Sequence, residues 1–481
     1  MSAYSSLRAL YQQTHPLTQI RSILSWDSRV IMSPGAINER AVMMRALDQA
    51  ISRQLNEVDV QHLLKQAGGE TLDEWDTENL RLMGRDYIRH RAIDDALASE
   101  LNNAARAGRT NWAVLRAQNN WKGMMPLFRD VINAERKKIK ILTNVLGCRP
   151  YEVVLFDFVR GYSVDNVNEM MDTMVRRLSS LVRTRHIPAP VRFPRMARDT
   201  QLKICHSLME ELGFDFNHGR IDLSAKAFHT GTDEESRIGL HIVPNNVMTT
   251  ISSAVHEMGH ALHRLNRPPE YRGQPVGSAG DFAMREAMAF IWQIHACRTP
   301  EFLSHVSSVI RDIAKKDIPA QTLRDVAFQP SRSPLRQGAD PVSYMLHIAV
   351  RTKMEQELLV EGRDVETVPQ RWAELYDEYL GVDVPDDANG CLQDIHWYKG
   401  AFGYFPAYAL GHLNAAAMMR QAELDMPDLR LNLSVGNGSA LVNWLKRHVY
   451  RYANLYSGRL LVEKATGLPV NIDDFIDKLM A

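Results

Sequence analysis

The sequence is short of several things that would place a protein outside the cell, in a membrane or on a nucleic acid. Cysteine is scarce: four residues in 481, Cys148, Cys205, Cys297 and Cys391, with no Cys-x-x-Cys spacing. That leaves no dense disulfide framework of the kind a small secreted domain needs, and the four read as buried thiols. An excess of one charge is also missing, because 57 basic residues cancel 57 acidic ones. Neither nucleic acid nor an anionic membrane is therefore an expected partner. The densest basic run, Arg136-Lys137-Lys138 with Lys140, reads as the solvated face of a long helix. No apolar run approaches the roughly 20 residues of a membrane span. The first ten residues lack the charged segment, apolar core and cleavage site of a secretory signal, so the cytoplasm is the expected location.

Hydrophobic residues are plentiful at 45%, enough for a large core and more than one lobe. From residue 3 to about 185 the apolar positions recur at helical spacing, as in Val42, Met43, Leu47, Ala50 and Ile51, or Trp112, Leu115, Trp121, Leu127, Val131 and Ile132. Residues 186–197 hold three prolines and cannot be helix interior, which marks a connection between lobes. Between Arg220 and Pro244 the texture becomes short alternating runs, Ile221–Leu223, Ala227–Thr230 and Ser236–Ile242, and these predict a small antiparallel β-sheet. A strand there would suit main-chain pairing with an extended peptide. Helices then resume to the end, so the fold class is mainly α.

Directly after the strands comes Thr250–Leu265, which contains His256-Glu257-Met258-Gly259-His260. Ile251, Ala254, Val255, Met258, Ala261, Leu262 and Leu265 give this stretch an apolar side at helical spacing, with Thr249 or Thr250 as cap and Pro268-Pro269 as stop. Two histidines four apart on a helix point to one side and can share a metal ion; the alternative is a pair of core histidines. Further on, Asp281 can cap a segment rich in apolar residues that carries Glu286. A carboxylate enclosed in this way needs a partner, either a cation or a salt bridge such as Arg285. Two imidazoles and one carboxylate, with a fourth position open, describe a catalytic zinc site. Glu257 would be the base that takes a proton from the activated water.

Longer stretches resemble one known family, the Taq-type thermostable metallocarboxypeptidases, an all-helical group related in architecture to neurolysin-like peptidases. The resemblance rests on His256, His260 and Glu286 together with Leu24-Ser25-Trp26-Asp27, Met32–Ala36 and Arg40 near the start. It extends through Leu335-Arg336-Gln337-Gly338-Ala339-Asp340, Gly390–Trp397 and Gly403–Tyr408, and so covers nearly the full length. Gly390-x-x-Gln393-Asp394-x-His396-Trp397 matches the family pattern at every fixed position. Two departures stand out: Glu235-Ser236-Arg237-Ile238-Gly239 where the family has Asp-x-Arg-x-Thr, and Arg285 where it has histidine.

The resemblance implies a single metallocarboxypeptidase domain over 1–481, two-lobed around a deep cleft, with a helical lobe to about 185 and a metal-site lobe over about 198–481. It also implies a homodimer, one divalent metal (zinc, with cobalt possible), and peptide substrates with a free C-terminus. Arg336 is the candidate for gripping the terminal carboxylate, unless it pairs with Asp340. Arg237, Gln393 and Asp394 are further substrate-binding candidates. His396 and Tyr404 are candidate donors to the developing oxyanion, unless the aromatic groups only pack helices. Two other functions fit the same residues: a cleft-restricted metallo-oligopeptidase, and a noncatalytic peptide-binding homologue.

Overall fold

The computed structural model describes residues 2–480 apart from 57, 58, 157, 190 and 192; the last two belong to the proline-bearing connection. Long helices make up most of it, and side-chain caps decide where many begin. Ser2 starts Ala3–Val30, Asp94 starts Asp95–Ala117, Asn120 starts Trp121–Leu146 and Ser163 starts Val164–Thr184, each accepting a hydrogen bond from a backbone N–H in the first turn. A short 3-10 turn, Pro34–Ala36, separates the N-terminal helix from Ile37–Asn56.

Two extensive apolar cores form. One joins Phe128, Val167, Met174 and Leu178 to Leu346, Trp372, Leu375 and Phe405. The other joins Ile204 and Leu208 to Ile251, Met258, Trp292, Phe302 and Met418. Each such side chain, fully buried, contributes about 1.5–3 kcal/mol relative to exposure. Helix Tyr404–Asp425 serves both, with Leu410 and Leu413 in the first and Ala415 and Met418 in the second.

The strands lie where the alternating runs predict them: β1 Gly219–Leu223, β2 Phe228–Gly231 and β3 Ser236–Leu240. Their pairing corrects the expectation of an antiparallel sheet. The order is β1-β3-β2; β2 and β3 pair antiparallel, but β1 and β3 pair in parallel, with Ile221 opposite Ile238. The last strand takes the central place and buries Ile238 and Leu240, leaving β2 as an edge beside the metal site.

Candidate metal centre

The helix that carries the His-Glu-x-x-His residues spans Val247–Leu265. Its cap is Asn246, whose Oδ1 accepts from the Thr249 N–H at 3.0 Å, and not Thr249 or Thr250. The Thr250 hydroxyl instead accepts from the Val243 N–H at 3.0 Å and ties the helix to the chain arriving from the sheet. Ile251, Ala254, Val255, Met258, Ala261 and Leu262 are all buried, as the periodicity requires.

Glu286 sits on the adjoining helix Phe282–Phe290. Asp281 caps that helix through its Oδ1 and the Met284 N–H at 2.8 Å, and its other oxygen accepts from the Arg160 N–H at 2.9 Å; the Gly458 N–H bonds to the same carboxylate. The helix approaches its neighbours closely because glycines face it. A Cβ at Gly259 would lie 2.5 Å from the Met288 carbonyl oxygen, and one at Gly411, on Tyr404–Asp425, would lie 2.9 Å from the Glu286 Cβ.

This packing brings His256, His260 and Glu286 together. Glu286 Oε2 is 3.7 Å from His256 Nε2, and Oε1 is 3.7 Å from His260 Nε2; one ligand atom from each residue lies within 4.8 Å of the others. Two metal–ligand bonds of about 2.1 Å at a tetrahedral angle would set their donors about 3.4 Å apart, so the spacing suits one cation. Glu286 is 4% exposed and its Oε2 has no hydrogen-bond partner, a cost that a bound cation removes. The Arg285 alternative is not realised, because that guanidinium lies over the Phe282 ring at 5.3 Å. Gln293 Oε1 can only accept, so the His256 Nδ1 that meets it at 2.9 Å carries the proton and Nε2 keeps its lone pair for a metal.

Glu257, 8% exposed, lines both cavities that flank the three donors. Burial pushes its carboxyl up to about 8. Burial, with the neighbouring Glu257 second, does the same to Glu286. Burial pulls His256 down to about 4 and His260 well below the ordinary imidazole range, which keeps both rings neutral as ligands must be.

Apart from Arg237, the remaining candidates fall into two groups. His396 stacks on Tyr404 (centroids 4.8 Å apart), and the Tyr404 hydroxyl bonds that of Tyr408 at 2.7 Å. Tyr408 and Tyr344 line the cavity on the His256 side. Arg336 does not pair with Asp340, which caps Pro341–Leu359 and is held by Arg185 at 2.5 Å. Arg336 pairs with Asp394 at 2.7 Å, and so does the fully buried Arg351 at 2.6 Å. Gln393 joins these groups, its Oε1 accepting from the Arg336 N–H at 2.9 Å and from Arg351 Nη2 at 2.8 Å. Arg237 stands apart from the three donors. It forks onto Glu235 at 2.9 Å and lies over Trp26 at 4.3 Å, joining β3 to the N-terminal helix. Gly239 replaces the family's threonine where the Phe228 ring would meet a Cβ at 2.2 Å.

Sequence reasoning passed over Gln293, although a lone amide in the apolar run Phe290–Ile294 was a signal, since a buried amide needs a partner. It lies in a π-helical turn, Ile291–Ala296, that directly continues Glu286's helix, and its Nε2 donates to Ser252 at 3.0 Å.

Known proteins resemble the chain over nearly all of its length. Thermostable carboxypeptidase 1 of Thermus thermophilus is 26% identical over 97% of this chain and 95% of that protein. Metallocarboxypeptidase 1 of Trypanosoma cruzi superposes with a TM-score of 0.94 at 23% identity, covering 99% of this chain and 98% of the other. The Pyrococcus furiosus carboxypeptidase structure gives 0.94 at 23% identity, covering 100% and 98%. The family profile described as Carboxypeptidase Taq (M32) metallopeptidase matches residues 6–481, and with the paired imidazoles and Glu286 already converging in the fold, the chain belongs to that family.

Proposed function

We propose that this metallocarboxypeptidase releases single C-terminal residues from peptides, with zinc held by His256, His260 and Glu286 and Glu257 as general base. The observation that carries the reading is the convergence of those three side chains beside a buried carboxylate that borders both cavities. A zinc ion bound there supplies a Lewis acid that polarises the scissile carbonyl and acidifies the attacking water. Glu257 accepts that water's proton, held in a low-dielectric pocket that raises its basicity, and passes it to the departing amine. The Tyr404–Tyr408 hydroxyl pair donates towards the oxygen on which charge develops, and the neutral His396 ring, stacked on Tyr404, positions it.

Arg336 and Arg351 share one carboxylate, Asp394. Two guanidinium charges against one leave a surplus positive charge to take the substrate's terminal carboxylate, with Gln393 and Asp394 fixing the arginine in place. Arg237 acts at a distance by holding the sheet, and β2 offers its edge to an extended peptide. Residues 1–481 work as one catalytic domain, because helix Tyr404–Asp425 contributes to both cores. The test of the carboxylate anchor is Arg336→Ala. Mass spectrometry should show cleavage of free-ended peptides lost about 100-fold more than any cleavage of amidated ones. Equal losses on both would refute the assignment.

No helix among the described residues is long and apolar enough to cross a membrane. We assign the protein to the cytoplasm on its four free thiols, three of them buried. We assign it a homodimer on the family likeness and on the exposed Ile37, Val42 and Met43 of the second helix. Metal analysis and sedimentation of the purified protein check the zinc and the dimer.

A further inference from the structure

The cavity on the His260 side of the metal centre, about 640 Å³, is lined by four arginines. Arg85 is neutralised by Asp86 at 2.8 Å. Arg264 uses Nη1 on the carbonyls of Gly231 and Thr232, at 3.0 and 3.4 Å. Arg267 donates to the Gly277 carbonyl at 2.7 Å and reaches Asp233 at 3.5 Å, but the other oxygen of Asp233 is already held by His15 at 2.5 Å. Arg285 is exposed inside this cavity with its guanidinium over the Phe282 ring, and among the described residues no carboxylate lies within ion-pair distance of it. Glu257 and Glu286 also face the space, but one is the base and the other a ligand. Three guanidinium groups thus face a single structural carboxylate, and one of them has an unfilled planar fork. The crowding is felt electrostatically, since burial first, and then Arg264 among its neighbours, pulls Arg267 down to about 10.

Arg336 belongs to the opposite side of the centre. It bonds the Tyr344 hydroxyl, and Tyr344 lines the second cavity together with His256. Glu257 borders both spaces, so a peptide lying across it with its C-terminus at Arg336 directs its upstream residues towards Arg285. Position 285 is also where this chain departs from the family's histidine, and a guanidinium offers a bidentate carboxylate clamp that an imidazole does not.

We infer that Arg285, backed by Arg264 and Arg267, is a specificity-determining residue that selects substrates bearing an aspartate or glutamate side chain on the N-terminal side of the scissile bond. The orientation rests on the proposed role of Arg336. The test uses metal-loaded full-length protein and matched free-ended peptides with Glu, Gln or Lys just before the terminal residue. The Glu peptide should exceed the Gln peptide about tenfold in kcat/KM, mainly through KM, with Lys the poorest. In Arg285→Gln the Glu-to-Gln ratio should collapse towards one, and Arg285→Lys should keep part of it. Calorimetry of the same peptides on Glu257→Gln protein should show the preference without turnover, weakening with salt.

A ratio near one in the unaltered protein, or a ratio unchanged by Arg285→Gln, overturns the inference. So does a variant that keeps the ratio but no longer distinguishes free from amidated termini, since the cluster would then hold the terminal carboxylate itself. Failure of the Arg336 reading shows separately, in Arg336→Ala and the amidated series, whereas the Glu-to-Gln ratio judges Arg285 alone.

Discussion

At the scale of single residues, the site separates groups that hold the metal from the group that moves a proton. Glu257→Gln keeps the size and shape of the side chain but not its basicity. The variant should retain its metal on elemental analysis while kcat falls about 10²- to 10⁴-fold; near-normal turnover would remove Glu257 from the mechanism. Gln293→Leu takes away the acceptor that fixes the His256 tautomer, and metal affinity measured by chelator competition should fall about 10- to 100-fold. His256, His260, Glu257 and Glu286 were legible in the sequence because helical spacing and apolar surroundings are local properties. Gln293 was hidden because its aim depends on one π-helical turn. The Arg336–Asp394–Arg351 cluster was hidden too, since its members come from well-separated parts of the chain and meet only in the fold.

Among elements, the decisive contact is the wedge of Phe282–Phe290 between the histidine helix and Tyr404–Asp425. Gly411→Val would force side-chain carbons against the Glu286 Cβ, the Ala283 carbonyl and the Phe290 ring, which would lie 2.9, 3.1 and 3.3 Å from the new Cβ. The expected cost is about 1–3 kcal/mol of stability, accompanied by weaker metal binding as Glu286 is displaced. Thermal melting and metal competition check both, and unchanged affinity would mean that the wedge does not set the ligand geometry. Strand positions could be read from alternation, but their partners could not. Alternation records which face is buried, whereas the parallel pairing of β1 with β3 depends on the last strand entering between the first two.

For the whole molecule, the buried ionisable groups set how stability follows pH. Burial raises Glu257 and Glu286 to about 8 and Glu355 to about 7, against about 4.3 in an unfolded chain. Their contribution is complete below about 4.3 and is lost as the pH climbs through the folded values. Burial lowers His256 to about 4 and His263, His396 and His412 to about 3, so theirs is complete above about 6.5 and is lost as the pH falls. Metal-free protein should therefore melt highest near pH 6.5 and lose stability between 6.5 and 8, where only the carboxylates change. Metal should flatten that alkaline limb by compensating Glu286, and calorimetry that finds the same slope with and without metal would contradict the account. The Asp281 carboxylate that starts Glu286's helix is clasped by backbone from Arg160 and from Gly458, segments that leave the ribosome early and late. The helix that presents Glu286 is therefore anchored at its start by two stretches remote in sequence, and the metal site takes its final shape only when both have folded against it.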